Sequence, residues 1–153
     1  MKNQDINIRD PFVVVVDGKY YMYGTRAENF GQGTGGFDVY VGDDLENWSE
    51  PKEVFSSVKY DMNTQVNWAP EVHFYKGSYY MLATFTKPNG LRGRIFLNAI
   101  HPMVISFLLR VRQLHLGNGS ALTVHCISKT ARFIVFSATS IHRFLTVQFA
   151  EWS

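Results

Sequence analysis

The chain has 153 residues, of which 46% are apolar and 18% are charged, and its formal net charge is +2. This length predicts one domain with a moderate core, and the apolar content argues against an intrinsically disordered protein. The first residues lack the apolar stretch of a secretory signal, and the single cysteine, Cys126, excludes an internal disulfide. Together these features favour a cytoplasmic protein.

Charge is distributed unevenly along the chain. Residues 1–90 carry eight basic and twelve acidic side chains, which gives −4, whereas residues 91–153 carry seven basic side chains and one acidic one, which gives +6. A basic tail of this kind could bind nucleic acid or a membrane surface. The alternative, which we favour, is that the two parts have different origins, and it requires no nucleic acid and no membrane as a partner.

The predicted elements of the first half are short β-strands. Segments 12–16 and 20–23 are rich in β-forming residues and are joined by Asp-Gly, which predicts a hairpin. The glycine-rich segment 29–36 predicts a flexible loop. A third strand is predicted over Phe37–Val41, and a polar turn leads from it to a short fourth strand over 52–55.

The first hairpin occurs a second time further along the chain. When NIRDPFVVVVDGKYYMYGT (7–25) is shifted by 59 positions onto NWAPEVHFYKGSYYMLAT (67–84), Pro11 coincides with Pro70 and Gly18 with Gly77. A repeat of four short strands without helical periodicity is typical of the blades of a β-propeller, whereas a β-sandwich would not require the repeat. We therefore predict an all-β chain with one four-stranded blade and the start of a second.

Each copy has a carboxylate at the start of its first strand. The first strand of a propeller blade lies nearest the central axis, so the residues that begin it gather at one end of the channel. Asp10 precedes Pro11 and Glu71 follows Pro70. A proline at a strand start costs no ladder hydrogen bond, and it is expected to hold Asp10 extended. Such carboxylates could perform acid–base chemistry, or they could be solvated residues that begin a strand.

Four segments of the chain resemble glycoside hydrolase family 43: RDPF, DGKYYMYGT, VYVGDDLENW and WAPEVHFYKGSYYMLAT. The resemblance extends from about Ile8 to Gly93, and RDP and WAPE at the starts of consecutive blades are its most specific parts. Members of this family are five-bladed propellers that cleave arabinose- and xylose-containing polysaccharides with inversion. The resemblance therefore implies an oligosaccharide or polysaccharide as the partner. It implies no cofactor, although the propeller channel could hold a structural cation.

The resemblance also implies roles for three residues. Asp10 would be the general base that deprotonates the attacking water. Trp68 and Glu71 would line the sugar pocket, with core packing as the alternative for Trp68. His73 is interpreted as a structural residue of the strand. A non-catalytic propeller that binds carbohydrate or protein is the rival hypothesis, but it leaves RDP and WAPE unexplained.

The residues after Gly93 show neither of the family's two further carboxylates, a pKa-modulating aspartate in the third blade and a general acid in the fourth. The codons of AIHPMV (99–104), read one base earlier, permit S-D-S-P-D-G, and those of LTVHCI (122–127) permit L-D-G-T-L-Y. With FSATS (136–140) and TVQFA (146–150), which permit V-F-S-H-E and D-G-T-I-C, these strings resemble the third blade of the family in order.

These codons predict an out-of-frame translation that begins near residue 93. We therefore assign residues 1–93 to the blades of a glycoside hydrolase and residues 94–153 to an aberrant basic tail. Thr123 stands where the frame-shifted string carries the aspartate. Because the chain lacks both carboxylates, we expect this fragment to be inactive.

Overall fold

The computed structural model describes residues 1–28, 35–75, 77–90, 92–99, 101–103, 121–129, 132–139 and 145–150. This part of the chain contains a short 3-10 turn, Asn3–Asp5, and ten strands: β1 (Ile8–Val16), β2 (Lys19–Arg26), β3 (Gly36–Gly42), β4 (Lys52–Ser56), β5 (Val66–Tyr75), β6 (Ser78–Thr86), β7 (Arg92–Ala99), β8 (Ala121–Lys129), β9 (Arg132–Thr139) and β10 (Leu145–Ala150). Within it no helix has the length and apolarity that a membrane span needs. Residues 29–34 of the predicted glycine-rich loop lie outside the described residues.

Strands β1 to β4 form the four-stranded antiparallel blade that the sequence predicts, in the order of the chain. The central strand β2 pairs with both neighbours, so that Tyr21 lies opposite Val14 on one side and Val41 on the other. The turn between β1 and β2 consists of Asp17 and Gly18, whose φ angles are 50° and 76°. Both angles are positive, as a type I′ hairpin turn requires, and the predicted Asp-Gly hairpin is confirmed.

The second sheet, β5–β6–β7, repeats the first hairpin and adds one strand. Val72 lies opposite Met81 in β5–β6, as Val13 lies opposite Met22 in β1–β2. The start of a second blade is therefore confirmed, and the sequence repeat is a repeat of register. Strand β7 was not predicted from the sequence. The third sheet, with the order β10–β9–β8, was not predicted either, and it lies in the part assigned to the tail.

The main core lies between the first two sheets. Tyr23 and Phe37 of the first sheet are fully buried, and Met81, Phe85 and Leu97 of the second are 2–3% exposed. Phe37 and Phe85 meet edge to face at 6.1 Å between ring centroids, a geometry that aromatic pairs favour. This packing brings the inner strand β1 beside the inner strand β5.

The opposite face of the first sheet has a smaller core. Met22, Tyr40 and Trp48 are buried there, and the N-terminal residues Met1 and Ile6 pack against them, among others. The N-terminal segment covers this face only in part, since two apolar side chains of β1 remain exposed to solvent. These are Val13 and Val15, which are 39% and 58% exposed.

Candidate active site

Each of the two inner strands contains a β-bulge at the same step of the repeat. The register of β1 with β2 shifts between Arg9 and Phe12, and the register of β5 with β6 shifts between Trp68 and Glu71. In each strand two residues therefore have no cross-strand partner. Bulges redirect side chains and are over-represented beside active sites.

The backbone of these bulges differs from the prediction. Asp10 was expected to be extended because it precedes Pro11, but its φ is +52°, in the left-handed region. Ala69, which precedes Pro70, has the same φ of +52°. The bulge explains the difference, because two residues must fit opposite a single residue of the partner strand, and this tertiary constraint outweighs the local preference. Aspartate tolerates this region better than alanine does, and the Asp10 side chain is exposed to solvent.

Glu71 is buried, with 8% of its surface exposed, directly after the second bulge. One of its carboxylate oxygens, Oε2, lies 3.3 Å from Nε2 of His73. The ring of His73 in turn lies 5.4 Å from the ring of Phe12, centroid to centroid, so that β5 contacts β1 here. The repeat places Glu71 at the position of Phe12 and His73 at that of Val14. A polar pair in the second sheet thus replaces two apolar residues of the first.

Trp68 is half-buried beside the second bulge, opposite Thr84 in the β5–β6 register. The buried apolar core of the described residues does not include it. Its partial exposure is compatible with the predicted contact with a sugar ring and argues against simple core packing.

The structure thus places all three predicted residues at the bulges of neighbouring inner strands. Asp10 lies in the bulge of β1, whereas Trp68 and Glu71 flank the bulge of β5. Sequence reasoning missed Thr25, whereas it named His73 as a structural residue of the strand without predicting its contact with Glu71. The Oγ1 atom of Thr25 accepts a hydrogen bond of 2.9 Å from the backbone N–H of Ala69, 44 residues away. Thr25 coincides with Thr84 in the 59-residue repeat, and this coincidence was the signal in the sequence that could have identified Thr25.

After the inner strands β1 and β5, the next strand with a register shift near its start is β8. Its register with β9 shifts between Ala121 and Thr123, so a third sheet has an irregularity near the start of a strand that lies beside β5 and β6. Thr123 was predicted to stand in place of an aspartate, and it lies at this shift. No group of three or more His, Cys, Asp or Glu side chains in the described part of the chain is placed to hold a metal ion.

An ion network lies at the end of the first sheet where β1 begins. Nε and Nη2 of Arg26 donate to the two oxygens of Asp38 at 2.8 and 2.6 Å, and Nη2 also donates to Glu53 at 2.6 Å. The hydrogen bond with Asp38 is the main reason why the pKa of Arg26 is raised. Lys59 also pairs with Glu53. The network connects strands β2, β3 and β4 at this end of the sheet.

Comparison with solved structures shows the same fold in glycoside hydrolases. A thermostable family-43 glycoside hydrolase superimposes with a TM-score of 0.75 and 23% identity, over 95% of this chain and 48% of that one. A β-xylosidase superimposes with a TM-score of 0.64 and 17% identity, over 85% of this chain and 43% of that one. An endo-arabinase from Bacteroides thetaiotaomicron superimposes with a TM-score of 0.64 and 22% identity, over 91% of this chain and 52% of that one. The chain therefore spans about half the length of these structures.

Among curated protein sequences none matches the chain. The sequence model described as Glycosyl hydrolases family 43 matches residues 5–101, which is more than half of the 153 residues. This match shows the family, and the chain belongs to glycoside hydrolase family 43.

Proposed function

We propose that this chain carries the first blades of a glycoside hydrolase that cleaves arabinose- or xylose-containing oligosaccharides or polysaccharides with inversion of the anomeric centre. The observation that carries the proposal is the placement of Asp10, Trp68 and Glu71 at equivalent bulges of two neighbouring inner strands. Family membership supports the reaction class. The β-xylosidase and endo-arabinase with the same fold support the choice of sugars.

In the proposed reaction Asp10 is the general base. Its exposed carboxylate accepts a proton from a water molecule, and the oxygen of that water attacks the anomeric carbon as the glycosidic bond breaks. In inverting enzymes the base and the acid are about 6.5–9.5 Å apart, which leaves room for this water. The left-handed backbone of the bulge sets the direction of the Asp10 side chain. A single displacement by water needs no cofactor.

Trp68 and Glu71 would bind the sugar. The half-buried indole offers an apolar face to the ring, and the Glu71 carboxylate can accept hydrogen bonds from sugar hydroxyls. Glu71 is buried and has His73 as a neighbour, so its side chain is held in a defined position. Hydrogen bonds to a charged acceptor of this kind are worth about 1.5–3 kcal/mol each.

We further propose that the 153-residue chain is inactive, because its reading frame slips near residue 93. The general acid and the third-blade aspartate of the family would then be missing, with Thr123 in place of the latter. Without an acid the leaving sugar must depart as an alkoxide, and general acid assistance is worth about 10²–10⁴ in rate.

The test is hydrolysis of aryl arabinofuranoside and aryl xyloside by a protein whose frame is restored at codon 93. We expect turnover by this protein and its loss in Asp10→Asn, because asparagine keeps the left-handed backbone but cannot take the proton. Asp17→Asn is the matched control, since Asp17 is also an exposed aspartate with positive φ, in the β1–β2 turn. Full turnover by Asp10→Asn would refute the assignment of the base. Sugar binding without turnover in the restored protein would favour a non-catalytic propeller.

A further inference from the structure

Thr25 connects the two bulges that carry the candidate site. It lies in β2, opposite Arg9 on one side and opposite Phe37 on the other, so its backbone is held by strands on both sides. Only 2% of its surface is exposed. The side chain therefore projects from a rigid strand next to Asp10, which follows Arg9 in the chain.

The hydroxyl of Thr25 satisfies a backbone group that the bulge of β5 leaves without a cross-strand partner. The register of β5 with β6 passes from Trp68 to Glu71 and omits Ala69. The N–H of Ala69 donates to Oγ1 of Thr25 at 2.9 Å, in a partly buried setting. A buried backbone donor that loses its partner is costly, so this bond favours the observed bulge over a regular strand.

The second sheet has a threonine at the same step of the repeat. Thr84 lies opposite Trp68 in the β5–β6 register, as Thr25 lies opposite Arg9, and it is also 2% exposed. By strand alternation Thr84 is on the face that points away from the first sheet, because its neighbours Ala83 and Phe85 pack into the core between the sheets. Threonine at this step is thus a feature of both sheets.

We propose that Thr25 is a positioning residue, whose buried hydroxyl holds the Trp68–Pro70 bulge of β5 against the Asp10 bulge of β1. One side chain thereby sets the placement of the sugar-binding strand relative to the strand that carries the base. Small displacements of such groups have large kinetic effects. The kinetic consequence rests on the proposed function, whereas the hydrogen bond itself does not.

The first experiment measures amide hydrogen exchange at Ala69 in the 153-residue chain, relative to amides of the β5–β6 ladder. Thr25→Val keeps the shape and removes the hydroxyl, so we expect exchange at Ala69 about tenfold faster, and Thr25→Ser should restore the slow rate. Thr86→Val is the matched control, because the Thr86 hydroxyl is buried in β6, in the sheet that contains Ala69, and has no hydrogen-bond partner there. An unchanged rate at Ala69 in Thr25→Val would overturn the proposal.

The second experiment measures kcat and KM of the same variants in the frame-restored protein. A variant that merely loses folded enzyme has a lower apparent kcat and an unchanged KM. We expect Thr25→Val to raise KM about tenfold and to lower kcat, with Thr25→Ser close to the unsubstituted protein. Faster exchange with an unchanged KM would overturn the positioning role and leave the proposed function intact. If the unsubstituted restored protein is inert, the proposed function fails, and the exchange result alone decides whether Thr25 holds the bulge.

Discussion

Asp10 and Ala69 have the same backbone conformation at the same step of two consecutive inner strands. Both have a φ of +52°, both precede a proline and both lie where the strand register shifts. At this step the first strand has an aspartate and the second an alanine. The bulge is therefore a property of the repeat and does not depend on the carboxylate.

Replacing Ala69 by glycine should stabilise the chain. The left-handed region costs an alanine about 1–2 kcal/mol, while glycine adds about 0.5–1 kcal/mol of backbone entropy cost, so we expect a gain of up to about 1.5 kcal/mol in the free energy of unfolding. Urea denaturation measures it. Ala83→Gly is the control, since Ala83 is buried in β6 and is not among the residues with a positive φ, so its replacement should destabilise. A loss of stability in Ala69→Gly as large as in Ala83→Gly would contradict the strain that we assign to the bulge.

Replacing Glu71 by leucine together with His73 by valine should affect ligand binding much more than stability. The repeat places the apolar Phe12 and Val14 at the two corresponding positions, and exchanging both members of a buried polar pair for apolar residues is often neutral or stabilising. We expect a change within about 1 kcal/mol in the free energy of unfolding and, in the frame-restored protein, at least about a tenfold loss of sugar affinity. Urea denaturation and calorimetric titration measure the two effects. Unfolding of this double variant under native conditions would instead assign the pair to the structure.

The network around Glu53 should make the chain sensitive to acid. Burial raises the pKa of Glu53, but the hydrogen bonds from Lys59 and Arg26 outweigh this effect and hold it below the ordinary value of 4.5. A lowered pKa contributes stability that is present above pH 4.5 and is lost as the pH falls through the value in the folded protein. Between pH 6 and pH 3 the free energy of unfolding should therefore fall by at most about 1 kcal/mol less in Glu53→Gln than in the unsubstituted chain. Glu46→Gln, an exposed turn position, is the control, and equal acid dependence in the two variants would contradict the network's role.

The open face of the first sheet should promote self-association. Val13 and Val15 are exposed on the face that also carries Met22, Tyr40 and Trp48. Exposed apolar patches on sheets favour contacts between chains. We expect Val15→Lys to shift sedimentation-velocity profiles towards the monomer. Val58→Lys replaces an equally exposed valine at 62% exposure outside the sheets, and it should leave the profiles unchanged. An equal effect of both substitutions would point to net charge as the cause.

The repeated hairpin was sufficient to predict β1, β2, β5 and β6, and the β-rich segments between the two copies were sufficient to predict β3 and β4, because these are local signals. The repeat also located Asp10, Trp68 and Glu71 at strand starts. The left-handed conformation of Asp10 was not predicted, because the proline rule describes local sterics whereas the register of a neighbouring strand imposes the bulge. Thr25 was missed for a related reason. Its hydrogen bond joins residues 44 positions apart, and no pattern within one strand indicates that contact.

The 153-residue chain should show no glycosidase activity, and restoring the frame near residue 93 should recover it. Asp10 can orient and deprotonate a water, but the leaving group also needs a proton, which is worth about 10²–10⁴ in rate. The walls that would position the substrate opposite Asp10 contribute further orders of magnitude, because effective molarities of well-oriented groups reach about 10⁵ M or more. Two sheets with Asp10, Trp68 and Glu71 supply only part of such a pocket.

The measurement is release of the aryl group from arabinofuranoside and xyloside substrates by both proteins under identical conditions. Asp10→Asn in the restored protein is the control for contaminating activity. Turnover by the 153-residue chain that Asp10→Asn abolishes would overturn the interpretation of residues 94–153, because the chain would then hold its own acid. Thr123→Asp in the 153-residue chain tests whether the missing third-blade aspartate alone explains the lack of activity. This substitution supplies that carboxylate without restoring the reading frame, and we expect it to leave the chain inactive because the general acid and the pocket walls would still be missing.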